Sequence, residues 1–243
     1  MKHPQDRGST EKGERRKAWL RYGPIPKIIN LTPAVLLSFC GLAAFSLSPA
    51  QAQVPAGDLR LLALGDSLTA GYGLPLADSF PAQLERALRA QGLAVSVINA
   101  GVSGDTTAGG RARLDWALQD KPDAVLVELG ANDGLRGLDP VQTRANLDAI
   151  LTKLQDAGLP ILLTGMLAPP NLGVSYGAGF NALFPDLARQ HHVAFYPFFL
   201  DGAAAQPPLL QADGMHPNAQ GVAVIVSRIL PATTKLLAQK KGK

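Results

Sequence analysis

Five short apolar runs, at residues 61–64, 95–99, 124–129, 161–165 and 193–196, constrain the fold of this chain more than any other feature. Each is rich in Val, Ile or Leu and shows little alternation with polar residues, so a strand built from it has no wet face. Between the runs the apolar period changes. Phe80, Leu84, Ala87 and Leu88 share one helical face, as do Leu147, Ile150, Leu151 and Leu154, then Phe180, Leu183, Phe184 and Leu187, and last Val222, Ile225, Val226 and Ile229. Strand and helix in alternation predict the α/β class: a three-layer sandwich with a five-stranded parallel sheet between helices, wound by right-handed crossovers. No internal repeat or heptad is visible.

The amino-terminal residues read differently. Residues 1–27 are polar and basic, residues 34–45 almost wholly apolar, and Ser48-Pro-Ala-Gln-Ala52 ends in small residues with Ala50-x-Ala52 spacing. That order is the pattern of a secretory signal peptide cleaved after Ala52. The apolar run is short of the roughly 20 residues a membrane span needs. The expected organisation is therefore a signal peptide at 1–52 and a single domain at 53–243, exported to the periplasm or the medium, with no stable membrane anchor after cleavage. Of 23 Lys and Arg and 19 Asp and Glu, eight and three lie in the leader, leaving 15 and 16 beyond it. The basic surplus belongs to the leader, and nothing in the remainder suggests nucleic acid or an anionic membrane as a partner. No obligate protein partner is evident either. The only cysteine, Cys40, also lies in the leader, so the expected domain rests on its core rather than on disulfides.

Ligands of open parallel sheets bind beyond the carboxyl ends of the strands. The first run ends there in Gly65-Asp66-Ser67-Leu68, where Ser67 or Asp66 can cap the next helix or Ser67 can be a nucleophile. The second runs into Asn99-Ala-Gly-Val-Ser-Gly-Asp-Thr-Thr107, the third into Gly130-Ala-Asn-Asp-Gly134, and the last loop ends in Asp213-Gly-Met-His-Pro217. The irregular stretches 167–178 and 201–212 follow strands directly and are expected to wall the site.

A serine hydroxyl needs a base, and the imidazole that serves as base needs a carboxylate to orient it. Beyond the leader only His191, His192 and His216 remain. The first two close a helix, where histidine ordinarily serves the C-terminal dipole. His216 follows Asp213 by three residues, ahead of a helix begun by Pro217, so one turn can bring Asp213 to Nδ1 and leave Nε2 for Ser67. Asp213 can equally be a cap. Acyl transfer also requires donors for the developing oxyanion. The candidates are the Ser67 N–H, the Gly104 N–H, because glycine permits close backbone approach, and the Asn132 amide. Gly104 and Asn132 also suit ordinary turns, and Gly101 is close enough to be mistaken for the donor.

Gly65-Asp-Ser-Leu68, Gly104, Gly130-Ala-Asn-Asp133 and Asp213-Gly-Met-His216, in this order across residues 58–238, resemble the four blocks of the GDSL esterases, also called SGNH hydrolases. The wording Val127-Glu-Leu-Gly-Ala-Asn-Asp-Gly-Leu-Arg-Gly137 most resembles their periplasmic multifunctional thioesterase and lysophospholipase subgroup, close to secreted arylesterases. The resemblance implies a flavodoxin-like sheet, Ser67 as nucleophile, His216 as base, Asp213 as its orienter, and Ser67, Gly104 and Asn132 as the oxyanion hole. It implies no metal and no organic cofactor. The substrate it implies is a small acyl ester or thioester, including aryl esters and lysophospholipids. Asp66, Asn99 and Asp133 match framework positions that hold turns. The α/β-hydrolase pattern Gly-x-Ser-x-Gly does not fit, since Thr69 stands at the second glycine position and acid and base share one turn.

Leu167, Pro169, Leu172 and Tyr176 are expected to line an apolar groove for the acyl chain, unless that loop simply packs on the domain. Two other readings use the same scaffold. A carbohydrate O-deacetylase calls for an open, aromatic site, whereas Trp, Tyr and Phe together number only 14, with few in these loops. A non-catalytic envelope-binding protein should lack part of the triad, and every member is present.

Overall fold

The structure of the protein, a computed structural model, describes residues 58–241. The expected signal peptide and its cleavage site lie outside these residues. Strand β1 (Leu59–Gly65) leads into the one-turn helix α1 (Ser67–Ala70) and then α2 (Phe80–Ala90). Next come β2 (Val95–Gly101), the short helices α3 (Thr107–Ala112) and α4 (Leu114–Leu118), and β3 (Ala124–Glu128). After α5 (Ala131–Leu135) and α6 (Pro140–Asp156) the chain forms β4 (Ile161–Thr164), α7 (Val174–Gln190), β5 (Ala194–Tyr196) and α8 (Ala219–Lys241).

All five expected runs are strands, and all pair in parallel in the order β2-β1-β3-β4-β5. β1 and β2 extend past their apolar residues because ladder pairing, not apolarity, sets their ends: Gly65 pairs with Gly101 on one side and Glu128 on the other. Helices α2 and α8 cover one face of the sheet, and α3, α6 and α7 pack together on the other. Leu61, Leu62, Ala63 and Leu64 of β1 and Val125, Leu126 and Val127 of β3 are wholly inaccessible, as strands covered on both faces must be.

The four helical stripes are buried, with Ala87 only partly so. Each fully buried Leu or Phe contributes about 1.5–3 kcal/mol relative to exposure, which makes this interior the main source of stability. By length and composition α8 could cross a membrane. Its Val222, Ile225, Val226, Ile229, Leu236 and Leu237 are instead buried in the core. His191, at the end of α7, ties helices together rather than serving a dipole: Nε2 meets Asp148 Oδ1 of α6 at 2.7 Å, and Nδ1 meets Gln155 Oε1 at 2.7 Å.

From β1 the chain crosses outward to β2, and then returns to place β3 on the other side of β1. The carboxyl ends of β1 and β3 therefore flank the crevice where strand order reverses, the place where open α/β sheets bind ligands.

Candidate active site

Ser67 stands at the mouth of that crevice because the chain turns sharply after β1. The Asp66 Oδ1 accepts the Leu68 N–H at 3.0 Å and so caps α1. Gly71, at φ 81°, ends the helix after a single turn. Gly65 is fixed by space: a Cβ there would lie 2.0 Å from Thr69 Oγ1 and 2.6 Å from Glu128 Oε2.

The loop from β5 to α8 returns to this turn. It is closed by the Leu210–Pro217 bridge and by the Gln211 N–H donating to the His216 carbonyl at 2.8 Å. Asp213 Oδ1 accepts the N–H groups of Met215 (2.9 Å) and His216 (3.0 Å), and Oδ2 pairs with His216 Nδ1 at 2.6 Å. His216 Nε2 lies 2.9 Å from Ser67 Oγ. Asp213 is thus a turn cap and an imidazole partner at once. The backbone N–H groups of His216 and then Met215, followed by the His216 ring, hold its carboxyl down at about 2, so it is an anion at any ordinary pH. Helix α8 opens not at Pro217 but after Asn218, whose Oδ1 accepts the N–H groups of Gln220 and Gly221 at 3.0 Å each.

Gly104 and Gly101 separate cleanly. The Gly101 N–H donates to Asn99 Oδ1 at 3.0 Å, and a Cβ there would lie 2.2 Å from the Ala70 nitrogen. That glycine lets the end of β2 pack against the backbone of Asp66 and Ala70 around α1. A Cβ at Gly104 would meet only Arg136 Nη2, at 3.8 Å, but its φ of 86° disfavours a side chain. Its loop is pinned to the end of β1. The Val102 N–H and Arg113 Nη2 both donate to the Gly65 carbonyl (3.1 and 2.8 Å), while Arg113 Nε holds Asp105 at 2.6 Å. Arg136 Nη2 donates to the Gly104 carbonyl at 2.8 Å.

Asn132 lies in α5, entered through Gly130 at φ 117°, and its Nδ2 donates to Asp66 Oδ2 at 3.1 Å. Beside it Asp133 is buried and accepts the Thr107 N–H (2.8 Å) and hydroxyl (2.6 Å), which ties α5 to the start of α3. Beneath this layer two carboxyls are wholly buried. Burial raises Asp66 to about 6, against the Leu68 N–H, the Asn132 amide and the His216 ring, which favour its anion. Burial, and then the adjacent Asp66, push Glu128 well above the usual carboxylate range.

An apolar cavity of about 220 Å³ opens on Ser67, Asn132 and His216. Leu135, Met166, Leu167 and Pro169 line it, together with Leu200, Ala204, Leu210 and Met215 from the loop between β5 and α8. Two of the four expected groove residues are therefore there, and two are not. Leu172 ends a short 3-10 turn away from the cavity. Tyr176 stacks on Phe180 at 5.8 Å and donates its hydroxyl to the Leu138 carbonyl at 2.8 Å, so it braces the loop after α5. Sequence reasoning gave no role to Glu128, Arg113 or Tyr72. Glu128 carried a usable signal, an ionisable residue within an otherwise apolar, doubly covered run.

A parallel sheet whose switch point carries carboxylate, imidazole and serine in one hydrogen-bonded chain has the frame of a serine hydrolase. The chain belongs to the GDSL-like lipase/acylhydrolase family, which its residues 63–224 match. An arylesterase of Vibrio mimicus is 41% identical over 186 residues, covering 76% of this chain and 88% of that protein. The thioesterase 1/protease 1/lysophospholipase L1 of Escherichia coli K12 is 43% identical over 159 residues, covering 65% and 75%. The crystal structure of AlinE4, an SGNH-hydrolase family esterase, superposes with a TM-score of 0.63 at 50% identity, covering 74% of this chain and 97% of that one.

Proposed function

We propose that this GDSL-type carboxylic ester hydrolase cleaves acyl esters and thioesters by two-step acyl transfer, with Ser67 as nucleophile, His216 as base and Asp213 as its orienter. The carrying observation is the unbroken chain from Asp213 Oδ2 through the imidazole to Ser67 Oγ, at 2.6 and 2.9 Å. His216 Nε2 takes the hydroxyl proton as Oγ attacks the carbonyl, and the Asp213 anion stabilises the imidazolium. The oxyanion receives the N–H groups of Ser67 and Gly104 and the Asn132 amide, each donor being worth on the order of 3 kcal/mol in the transition state. His216 then protonates the departing alkoxide or thiolate. Water attacks the acyl-enzyme by the same route in reverse.

The acyl chain occupies the apolar cavity, whose Met166, Leu167, Leu200 and Leu210 offer dispersion contacts and few partners for a sugar. This favours fatty acyl groups over an acetylated carbohydrate. The leader pattern supports export of residues 53–243 to the periplasm or medium. A chain-length series of p-nitrophenyl esters, assayed beside acyl-CoA and an acetylated sugar, tests the substrate reading. Turnover of medium-chain esters and thioesters is the expected result; turnover confined to the acetylated sugar contradicts it.

A further inference from the structure

Glu128 takes no part in the acyl-transfer scheme, yet it ends β3 directly beneath the serine turn with no access to solvent. Its Oε2 accepts the Thr69 hydroxyl at 2.8 Å and the Asp66 N–H at 3.3 Å. Asp66, equally inaccessible, accepts the Leu68 N–H on Oδ1 and the Asn132 amide on Oδ2. Three of the four carboxyl oxygens of this pair thus receive donors. The fourth, Glu128 Oε1, is buried and has no partner among the described residues, while the other oxygen of the same carboxyl touches Asp66 at its N–H. A buried oxygen without a donor carries a full desolvation cost, and that cost disappears if the oxygen bears a proton and donates it.

The charges around the pair point the same way. Among the described residues no Lys or Arg bonds to either carboxyl. Of the pair, Asp66 feels the His216 ring, and the nearby Arg113 is engaged through Nε by Asp105 and through Nη2 by the Gly65 carbonyl, its buried Nη1 finding no partner among the described residues. Two adjacent buried carboxylates with no cation of their own do not both ionise.

We propose that Asp66 and Glu128 hold one proton between them at neutral pH, Glu128 donating from Oε1 to Asp66, and that this acid pair positions the Asn132 amide. Asp66 is the link, since its two oxygens hold the serine turn at Leu68 and the oxyanion-hole side chain at Asn132. Glu128 is a positioning residue: it touches Asp66 and Thr69 and not the reacting atoms. Loss of its proton would replace a hydrogen bond to Asp66 by repulsion and release the Asn132 amide. The inference rests on the reading of Asn132 as an oxyanion donor.

Infrared difference spectroscopy of the purified enzyme in heavy water tests the proton itself. At neutral pH the wild type should show the carbonyl stretch of a protonated, buried carboxylic acid, and E128Q should lack it. E128A should lose kcat by on the order of tenfold, short of the roughly 10²–10³ for outright loss of a donor, with KM nearly unchanged. E128Q, whose amide also donates to Asp66, should recover most of that loss. The proposal is overturned if the wild type shows no acid band, if the band survives in E128Q, or if E128Q is as impaired as E128A. Should E128A not fold, the wild-type band and E128Q decide alone. The band does not depend on catalysis, so full activity in Ser67→Ala with the band present would remove the acyl-transfer reading and leave the shared proton standing.

Discussion

The Tyr72 ring lies against the His216 imidazole, with centroids 4.6 Å apart and planes inclined by 37°. The Tyr72 carbonyl accepts from Gln211 Nε2 at 2.7 Å, which ties the turn after α1 to the histidine loop. In the proposed mechanism His216 takes the serine proton, and its cation then faces an aromatic ring. At a half-exposed site such a pairing is worth about 0.5–1 kcal/mol. Tyr72→Leu should lower kcat by about two- to fivefold on this basis, while Tyr72→Phe stays near wild type. Steady-state kinetics on a short ester check this, and a Leu variant equal to wild type would contradict it.

Gly65 leaves no room for a methyl group between Thr69 and Glu128. Thr69 is buried and β-branched, so it cannot swing aside. Gly65→Ala should therefore destabilise by about 1–3 kcal/mol. In a chain of this size that lowers Tm by roughly 2–4 °C per kcal/mol. A thermal melt reads the effect directly.

Ala204 lines the cavity together with Leu167. Enlarging it to Leu removes volume from the cavity without touching the triad residues themselves. Ala204→Leu should reduce kcat/KM for an octanoyl ester by roughly tenfold or more relative to an acetyl ester, a loss in the range of one or two displaced methylenes. The ratio of the two specificity constants is the measurement. An unchanged ratio would place the acyl chain elsewhere.

Stability should depend on pH through the buried pair. Asp66 is raised from 3.8 to about 6 and Glu128 is raised well above its ordinary value, so the native state binds more protons than the unfolded chain. Their contribution is full below the unfolded carboxyl values and is lost as pH rises through the folded ones. Asp213, held at about 2, has the opposite sign: its contribution is present above 3.8 and lost as pH falls through about 2. It is exposed enough for that effect to be small. The urea midpoint should therefore fall between pH 5 and pH 8, and fall less in E128Q. Parallel pH profiles would contradict this.

How far the sequence carried the structure depends on what each feature required. The strands and helical stripes were legible because burial on both faces and a period near 3.6 are local patterns. The Asp213–His216 pair was legible because three residues of one turn hold both groups. Gly104 and Gly101 could not be told apart without knowing that the Gly101 N–H is already engaged by Asn99 and that Gly104 alone sits at positive φ. Residues 201–212 were expected to wall the site, yet Ala204 and Leu210 have no periodicity to mark them as lining. For Tyr176 the sequence is ambiguous, because an aromatic in a loop fits a pocket as well as a brace. Only its hydroxyl on the Leu138 carbonyl separates the two. The Glu128–Asp66 contact joins residues 62 apart across the sheet, a distance over which local sequence carries no geometric information.

The proposed acyl transfer requires that Ser67 attack the acyl carbon and carry the acyl group. Mass spectrometry after reaction with an organophosphonate tests this most directly. One phosphonyl group per chain on the peptide containing Ser67, absent from folded and inactive Ser67→Ala, is the predicted result. A label on another residue, or ester turnover in Ser67→Ala near the wild-type rate, would contradict it.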